Sequence, residues 1–180
     1  MTQNTMTQSK KYYAGVGSRD IPTDYGSAYK LALAMSAREL EQLGYTLRTG
    51  CASGSDQIFR NATNVKEVYS RDSVRLNTWK FATDIAKSVH PCWHKLSKDG
   101  KILHTRNVYQ ILGGDLKVAS EFVLCYTPDG CIDGTKTTRE TGGTGQALRL
   151  AAIYNIPIVN VKNDDWIDRL YNILEKNNTE

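Results

Sequence analysis

Residues 137–150 read TTRETGGTGQALRL and stand between two apolar runs with strand character, residues 122–126 and 156–161. Gly142, Gly143 and Gly145 let the backbone approach a ligand closely and take turns that a Cβ would forbid. Gln146, Ala147, Leu148, Leu150, Ala151 and Ala152 follow directly and favour a helix. A glycine loop that opens a helix behind a buried strand turns N–H groups and a positive dipole end outward. That arrangement suits a phosphate or another anion. The hydroxyls of Thr141 and Thr144 would serve the ligand or cap the helix.

Working back towards the start, the same unit recurs. Residues 12–16 predict a strand that runs into Gly15, Gly17, Ser18 and Arg19. A helix follows to about residue 43, with Tyr29, Leu33, Ala37 and Leu40 at helical spacing and Gly44 as its stop. Residues 45–48 form a second strand, leading into Gly50, Cys51, Ser53, Gly54 and Asp56. A short helix through Ile58 and Phe59 and a third strand at residues 65–69 complete this half. The alternation implies parallel strands, hence an α/β, Rossmann-like, mostly parallel sheet with helices on both faces.

The middle of the chain is less regular. Helices are expected at residues 79–89, ended by Pro91, and at 101–112, ended by Gly113 and Gly114. Residues 122–126 read as a strand buried on both faces. Residues 131–140 form a polar loop placed to act as a lid. The last helix, residues 164–176, buries Ile167, Leu170, Ile173 and Leu174.

The 180 residues fit one domain, spanning residues 11–176 behind a disordered tail at residues 1–10. No apolar run reaches the length of a membrane span, and the polar N-terminus lacks a signal-peptide core. Cys51, Cys92, Cys125 and Cys131 form no CxxC pair, which suits reduced thiols in a cytoplasm. The net charge of +4 permits an anionic ligand but falls short of a dedicated nucleic-acid binder.

In a doubly wound sheet, ligands bind beyond the carboxyl ends of the strands. Residues 15–19, 50–56 and 141–146 all sit at such ends. Arg19 would grip a phosphate or carboxylate with its fork, or pair with Asp20 or Asp24 on the surface. Asp56 would accept from ribose hydroxyls, or merely cap a helix.

These residues resemble a known superfamily. Gly17-Ser18-Arg19 followed by Gly50-x-x-x-Gly54-x-Asp56 resembles the paired signature of the DNA-processing recombination mediators. Arg106 in HTRNVYQIL, with TGGTGQA after it, is similar to the arginine helix and glycine motif of the LOG (Lonely guy) phosphoribohydrolases. Both belong to the SLOG superfamily of Rossmann-like nucleotide binders, and the overall pattern, from residue 12 to 173, resembles its small phage-encoded members. The resemblance implies the fold, a pairing habit that suggests a dimer or higher oligomer, and a nucleotide pocket. It also exposes a departure. The LOG motif runs Pro-Gly-Gly-x-Gly-Thr-x-x-Glu, and its catalytic glutamate falls on Arg149, its proline on Thr141 and its second threonine on Gln146. An arginine cannot serve as a carboxylate base, and it repels an oxocarbenium-like sugar. Glu140 is the nearest replacement carboxylate.

His90, Cys92, His94 and His104 lack the spacing of a structural zinc site, and Pro91, Cys92 and Trp93 read as a loop packed on the sheet. Trp79, Trp93 and Trp166 read as core, with Tyr109 and Tyr126 as better stacking candidates. The expectation is therefore a pocket for an adenine- or ADP-ribose-type nucleotide, without a catalytic residue, cofactor or metal. Its ligands are Gly15, Gly17, Ser18, Arg19, Gly50, Ser53, Gly54, Asp56, Arg106, Thr141, Gly142, Gly143, Thr144, Gly145, Gln146 and Arg149. In a phage protein such a pocket would sequester a nucleotide messenger of host immunity. The alternatives are a single-stranded-DNA-binding recombination mediator and a LOG-like hydrolase of an N-glycosidic bond.

Overall fold

The structure, a computed structural model, describes residues 10–22 and 26–177, so the tail expected at residues 1–10 lies almost wholly outside the described residues. Among them, strands form where the apolar runs predict: β1 (Lys11–Gly17), β2 (Tyr45–Gly50), β3 (Lys66–Tyr69), β4 (Val123–Tyr126) and β5 (Ile158–Asn160). All pair in parallel, in the order β3-β2-β1-β4-β5. The helices between and after them are α1 (Gly26–Gln42), α2 (Ser55–Ala62), α3 (Trp79–Val89), α4 (Lys98–Leu112), α5 (Gly145–Ile153) and α6 (Trp166–Asn177). The α/β, Rossmann-like arrangement is the one the sequence implies. No described helix is long and apolar enough to cross a membrane.

Successive strand residues point to opposite faces, and both faces are covered. Tyr13, Leu47, Phe122, Leu124 and Val159 pack with Leu33, Phe59 and Leu170, from α1, α2 and α6. Ala14, Val16, Val123, Cys125 and Ile158 pack with Ala86, Val108, Leu148 and Leu150, from α3, α4 and α5. Gly15 belongs to this packing: a Cβ there would lie 2.6 Å from Leu47 Cδ1 and 2.8 Å from Phe59 Cγ.

The chain steps outward from β1 through β2 to β3, then crosses to the other side of β1 for β4 and β5. The reversal falls between β1 and β4, where Gly17 pairs with Tyr126. Beyond the carboxyl ends of strands at such a reversal, loops diverge and leave a crevice.

Several local expectations are corrected. The second helix of the middle segment starts at Lys98 rather than residue 101, because Ser97 Oγ accepts from Gly100 N at 3.1 Å and caps it. Ile167 is 47% exposed; α6 packs through Trp166, Leu170, Ile173 and Leu174, and Ile167 lies a further 100° or so around the helix. Pro91 and Cys92 are exposed, and only Trp93 of that trio packs on the core. Tyr109 and Tyr126 are buried and engaged with Tyr69 and Tyr29 respectively, so neither offers a face to a ligand. The segment read as a lid, residues 131–140, is pinned instead. Gly134 is buried against the Leu148 carbonyl of α5, and Asn160 Nδ2 donates to the Cys131 carbonyl at 3.1 Å.

Candidate functional site

The first two loops are sewn together at the strand ends. Ser18 N donates to the Tyr126 carbonyl at 2.9 Å, while the Ser18 carbonyl accepts from both Ser55 N and Ser55 Oγ at 3.0 Å. Gly54 adopts φ 72°, and a Cβ there would run into the Arg19 backbone, so the crossing of the two loops requires a residue without one. Arg60 Nη1 reaches back from α2 to the carbonyls of Gly50 (2.8 Å) and Ala52 (3.1 Å) and fixes the second loop.

Beneath that loop lies a buried ion pair. Arg106 from α4 is 6% exposed and places Nη2 3.6 Å from Asp56 Oδ2, itself 4% exposed. Asp56 also accepts from Ala52 N at 3.2 Å, and Arg106 donates to Cys51 Sγ at 3.4 Å and Asn107 Oδ1 at 3.3 Å. Burial pushes the Asp56 carboxyl above its ordinary range; the Arg106 guanidinium, the Ala52 N–H and the more distant Arg60 and Arg19 pull it back only in part. Gly50 makes room for the pair, since a Cβ there would strike Asp56 Oδ2 and lie 2.7 Å from Arg106 Cζ.

The third loop approaches from the other side. A short 3-10 turn, Gly142–Thr144, leads straight into α5, and neither Thr141 nor Thr144 caps it through a side chain. Thr141 Oγ1 instead donates to Asp129 Oδ2 and accepts from Thr138 N at 2.8 Å, while Thr138 Oγ1 donates to the same carboxylate oxygen at 2.8 Å. Burial pushes the Asp129 carboxyl up, but hydroxyl bonds from Thr141, Thr127 and Thr138 outweigh it and hold it below the usual range. Gly142 and Gly143 are exposed, and a Cβ on either would meet nothing within 4 Å.

Between these loops and α4 opens a cleft of ≈ 410 Å³. Of the residues expected from the sequence, Gly17, Ser18, Arg19, Asp56, Arg106, Thr141, Gly142, Gly143 and Thr144 line it. Gly15, Gly50, Ser53, Gly54, Gly145, Gln146 and Arg149 do not. Gln146 turns the other way and donates to the Ala86 carbonyl of α3 at 3.0 Å. Arg149, expected as a counter-charge, is half-buried and donates to Thr137 Oγ1 at 2.7 Å. Gly50 and Gly54 act one step back, by admitting the pair and the loop crossing.

Sequence reasoning missed much of the α4 wall. Leu103, Asn107 and Gln110 recur at i, i+4 and i+7 and line the cleft with Arg106 and His104. The burial of His104, with the positive neighbours His90, Arg149 and Arg106, drives its pKa down to about 4, so the imidazole is neutral near pH 7. Its ring stands 4.5 Å from that of His90. Among the described residues no three His, Cys, Asp or Glu side chains gather as a metal site. Among the described residues the cleft carries three carboxylates, Asp20, Asp56 and Glu140, against Arg19 and Arg106, and none of its lining is Phe, Tyr or Trp.

No protein-family model matches this sequence, and no curated protein matches it. Among solved structures, DNA processing protein A from Helicobacter pylori, described for its unique single-stranded DNA binding mode, is similar at a TM-score of 0.52. The two are 22% identical, and the match covers 93% of this chain and 73% of that one. The chain therefore shares the fold of that DNA processing protein.

Proposed function

We propose that the cleft binds a nucleotide of the adenosine or ADP-ribose class and releases it chemically unchanged. The observation that carries this reading is the buried Asp56–Arg106 pair facing the uncovered backbone of Gly142 and Gly143 across one cleft. Such a start of α5, with Arg19 at the rim, suits a phosphate, and the Asp56 carboxylate suits ribose hydroxyls. A volume of ≈ 410 Å³ lies within the range of small-molecule sites and suits a mononucleotide rather than a polymer. SLOG membership and a phage role in sequestering a host messenger extend the proposal from the sequence resemblance. The absence of turnover is argued from Arg149, which occupies the hydrolase glutamate position and turns to Thr137 instead of the cleft.

Calorimetry with AMP and ADP-ribose, followed by denaturation and chromatography, tests both halves. Saturable binding with the starting compound recovered is the expected result. Free base or ribose phosphate accumulating beyond the protein concentration would overturn the non-catalytic part, and an absence of heat with either compound would overturn the ligand class.

The similarity to a protein described for binding single-stranded DNA favours a second reading, that this chain binds single-stranded DNA as well. Against it stand, among the described residues, the excess of carboxylates and the lack of aromatic rings in the cleft, since strand binders track phosphates with positive charge and stack bases on aromatics.

A further inference from the structure

Three buried polar atoms on the α4 wall, His104 Nδ1, Arg106 Nε and Gln110 Nε2, have no partner among the described residues, and two of them belong to neutral side chains. Gln110 is 1% exposed, lines the cleft beside Val16 and Ala147, and its Nε2 makes no hydrogen bond. His104 lies six residues earlier on α4, also lines the cleft, and its Nδ1 is likewise buried without a partner. A buried amide without a partner is left with an unmet hydrogen-bonding cost. The apolar core contacts of α4 come from Val108, Tyr109, Ile111 and Leu112. Of the three, Gln110 and His104 are neutral, so they suit an uncharged group that offers donors and acceptors.

The remaining lining divides by chemistry. Arg19, Asp56 and Arg106 carry charge and Gly142 and Gly143 offer bare backbone, whereas Val16, Leu103 and Ala147 are apolar and Gln110 and His104 are polar and neutral. We infer that Gln110, assisted by His104, reads the hydrogen-bonding edge of a nucleobase, making the ligand a nucleotide selected by its base and not only by its sugar phosphate. This rests on the nucleotide reading of the same cleft. Among the described residues no aromatic ring lines the cleft, so its described lining offers a base edge contacts and not a stacking face. The Gln110 amide presents both a donor and an acceptor, the pattern that pairs bidentately with a base edge.

The test compares AMP, GMP, CMP and UMP with ribose 5-phosphate by calorimetry, on the wild type and on Gln110→Met, a substitution close in volume. The wild type should favour one nucleotide over ribose 5-phosphate by about tenfold or more, and that ratio should fall at least about fivefold in the variant. In parallel, the Gln110 side-chain amide resonance of the wild-type protein should shift with the favoured nucleotide and not with ribose 5-phosphate, a readout that does not depend on the variant folding. If the wild type binds none of the five compounds, the nucleotide reading itself fails. If it binds all five alike, if a folded variant keeps the full ratio, or if the amide resonance does not respond, a nucleotide site stands and its base reader is elsewhere.

Discussion

Gly50 and Gly143 look equivalent in the sequence, each a glycine in a loop after a strand, yet their surroundings assign them opposite roles. Gly50 admits the Asp56–Arg106 pair, whereas Gly143 faces open space. Gly50→Ala should lower stability by about 1–3 kcal/mol, because neither partner can move without leaving a buried charge uncompensated. Gly143→Val should leave the denaturation midpoint nearly unchanged and abolish nucleotide binding, because its side chain would project into the cleft. Urea denaturation and calorimetry on the two variants separate these roles, and a destabilised but fully binding Gly143→Val would reverse the assignment. His104 adds a pH dependence. Its folded pKa of about 4 lies below the ordinary imidazole value of 6.5, so between these values the unfolded chain holds the proton that the folded one refuses. Stability from this group is therefore fully present above about pH 6.5 and is lost as pH falls towards 4. Asp56, raised in the fold, acts in the opposite sense above its ordinary pKa. His104→Gln should flatten the rise in stability between pH 4 and 6.5, and an unaltered profile would show that this imidazole is not the group responsible. Arg106 and Asp56 were legible because each sits in a recognisable motif. Gln110 was not, because an amide within a helix reads like a solvated residue until the partner elements show which face is enclosed.

At the scale of elements, α5 governs both what was read correctly and what was not. Its glycine start and apolar face, Ala147, Leu148, Leu150 and Ala151, were plain in the sequence and do build the cleft edge and the core. The direction of Arg149 was not plain. Aligning a motif gives a residue's place along a helix, whereas the angular setting of that helix on the sheet decides what the side chain reaches. Here Arg149 reaches Thr137 in the preceding segment. That segment reads as a lid because it is polar and flanked by mobile glycines, but its threonine hydroxyls each have a local use. Thr138 and Thr141 converge on Asp129, and Gly134 lies under α5. Gly134→Ala should therefore prise the segment from α5, at a cost of about 1–3 kcal/mol or more from overpacking. Asp129→Ala should cost about 1–3 kcal/mol by removing the acceptor of the buried Thr141 hydroxyl, and should weaken nucleotide binding through the displaced Thr141. Hydrogen exchange of residues 131–144 reads both effects; protection unchanged in either variant would mean that the segment is held by other contacts.

For the molecule as a whole, the parallel sheet and its reversal between β1 and β4 followed from the order of apolar runs and glycine loops, because that order leaves few ways to bury both faces. Which ligand the reversal receives does not follow from the fold, which is shared with a DNA processing protein. Charge arrangement separates the candidates. The whole chain carries +4, yet among the described residues the cleft holds three carboxylates against two arginines, so the positive excess lies outside that lining. A single strand that follows a basic path neutralises several phosphates, and each contributes about −0.7 to the slope of log affinity against log salt. A ligand held by one phosphate at the α5 start contributes about one such step. Binding of AMP should therefore weaken by less than about threefold between 50 and 200 mM salt. A thymidine oligomer of about 20 nucleotides should bind weakly, without competing AMP from the cleft. Fluorescence anisotropy of a labelled oligomer, with and without AMP, measures this directly. A slope of about −3 or steeper, together with displacement of AMP by the oligomer, would assign the cleft to single-stranded DNA in place of a free nucleotide.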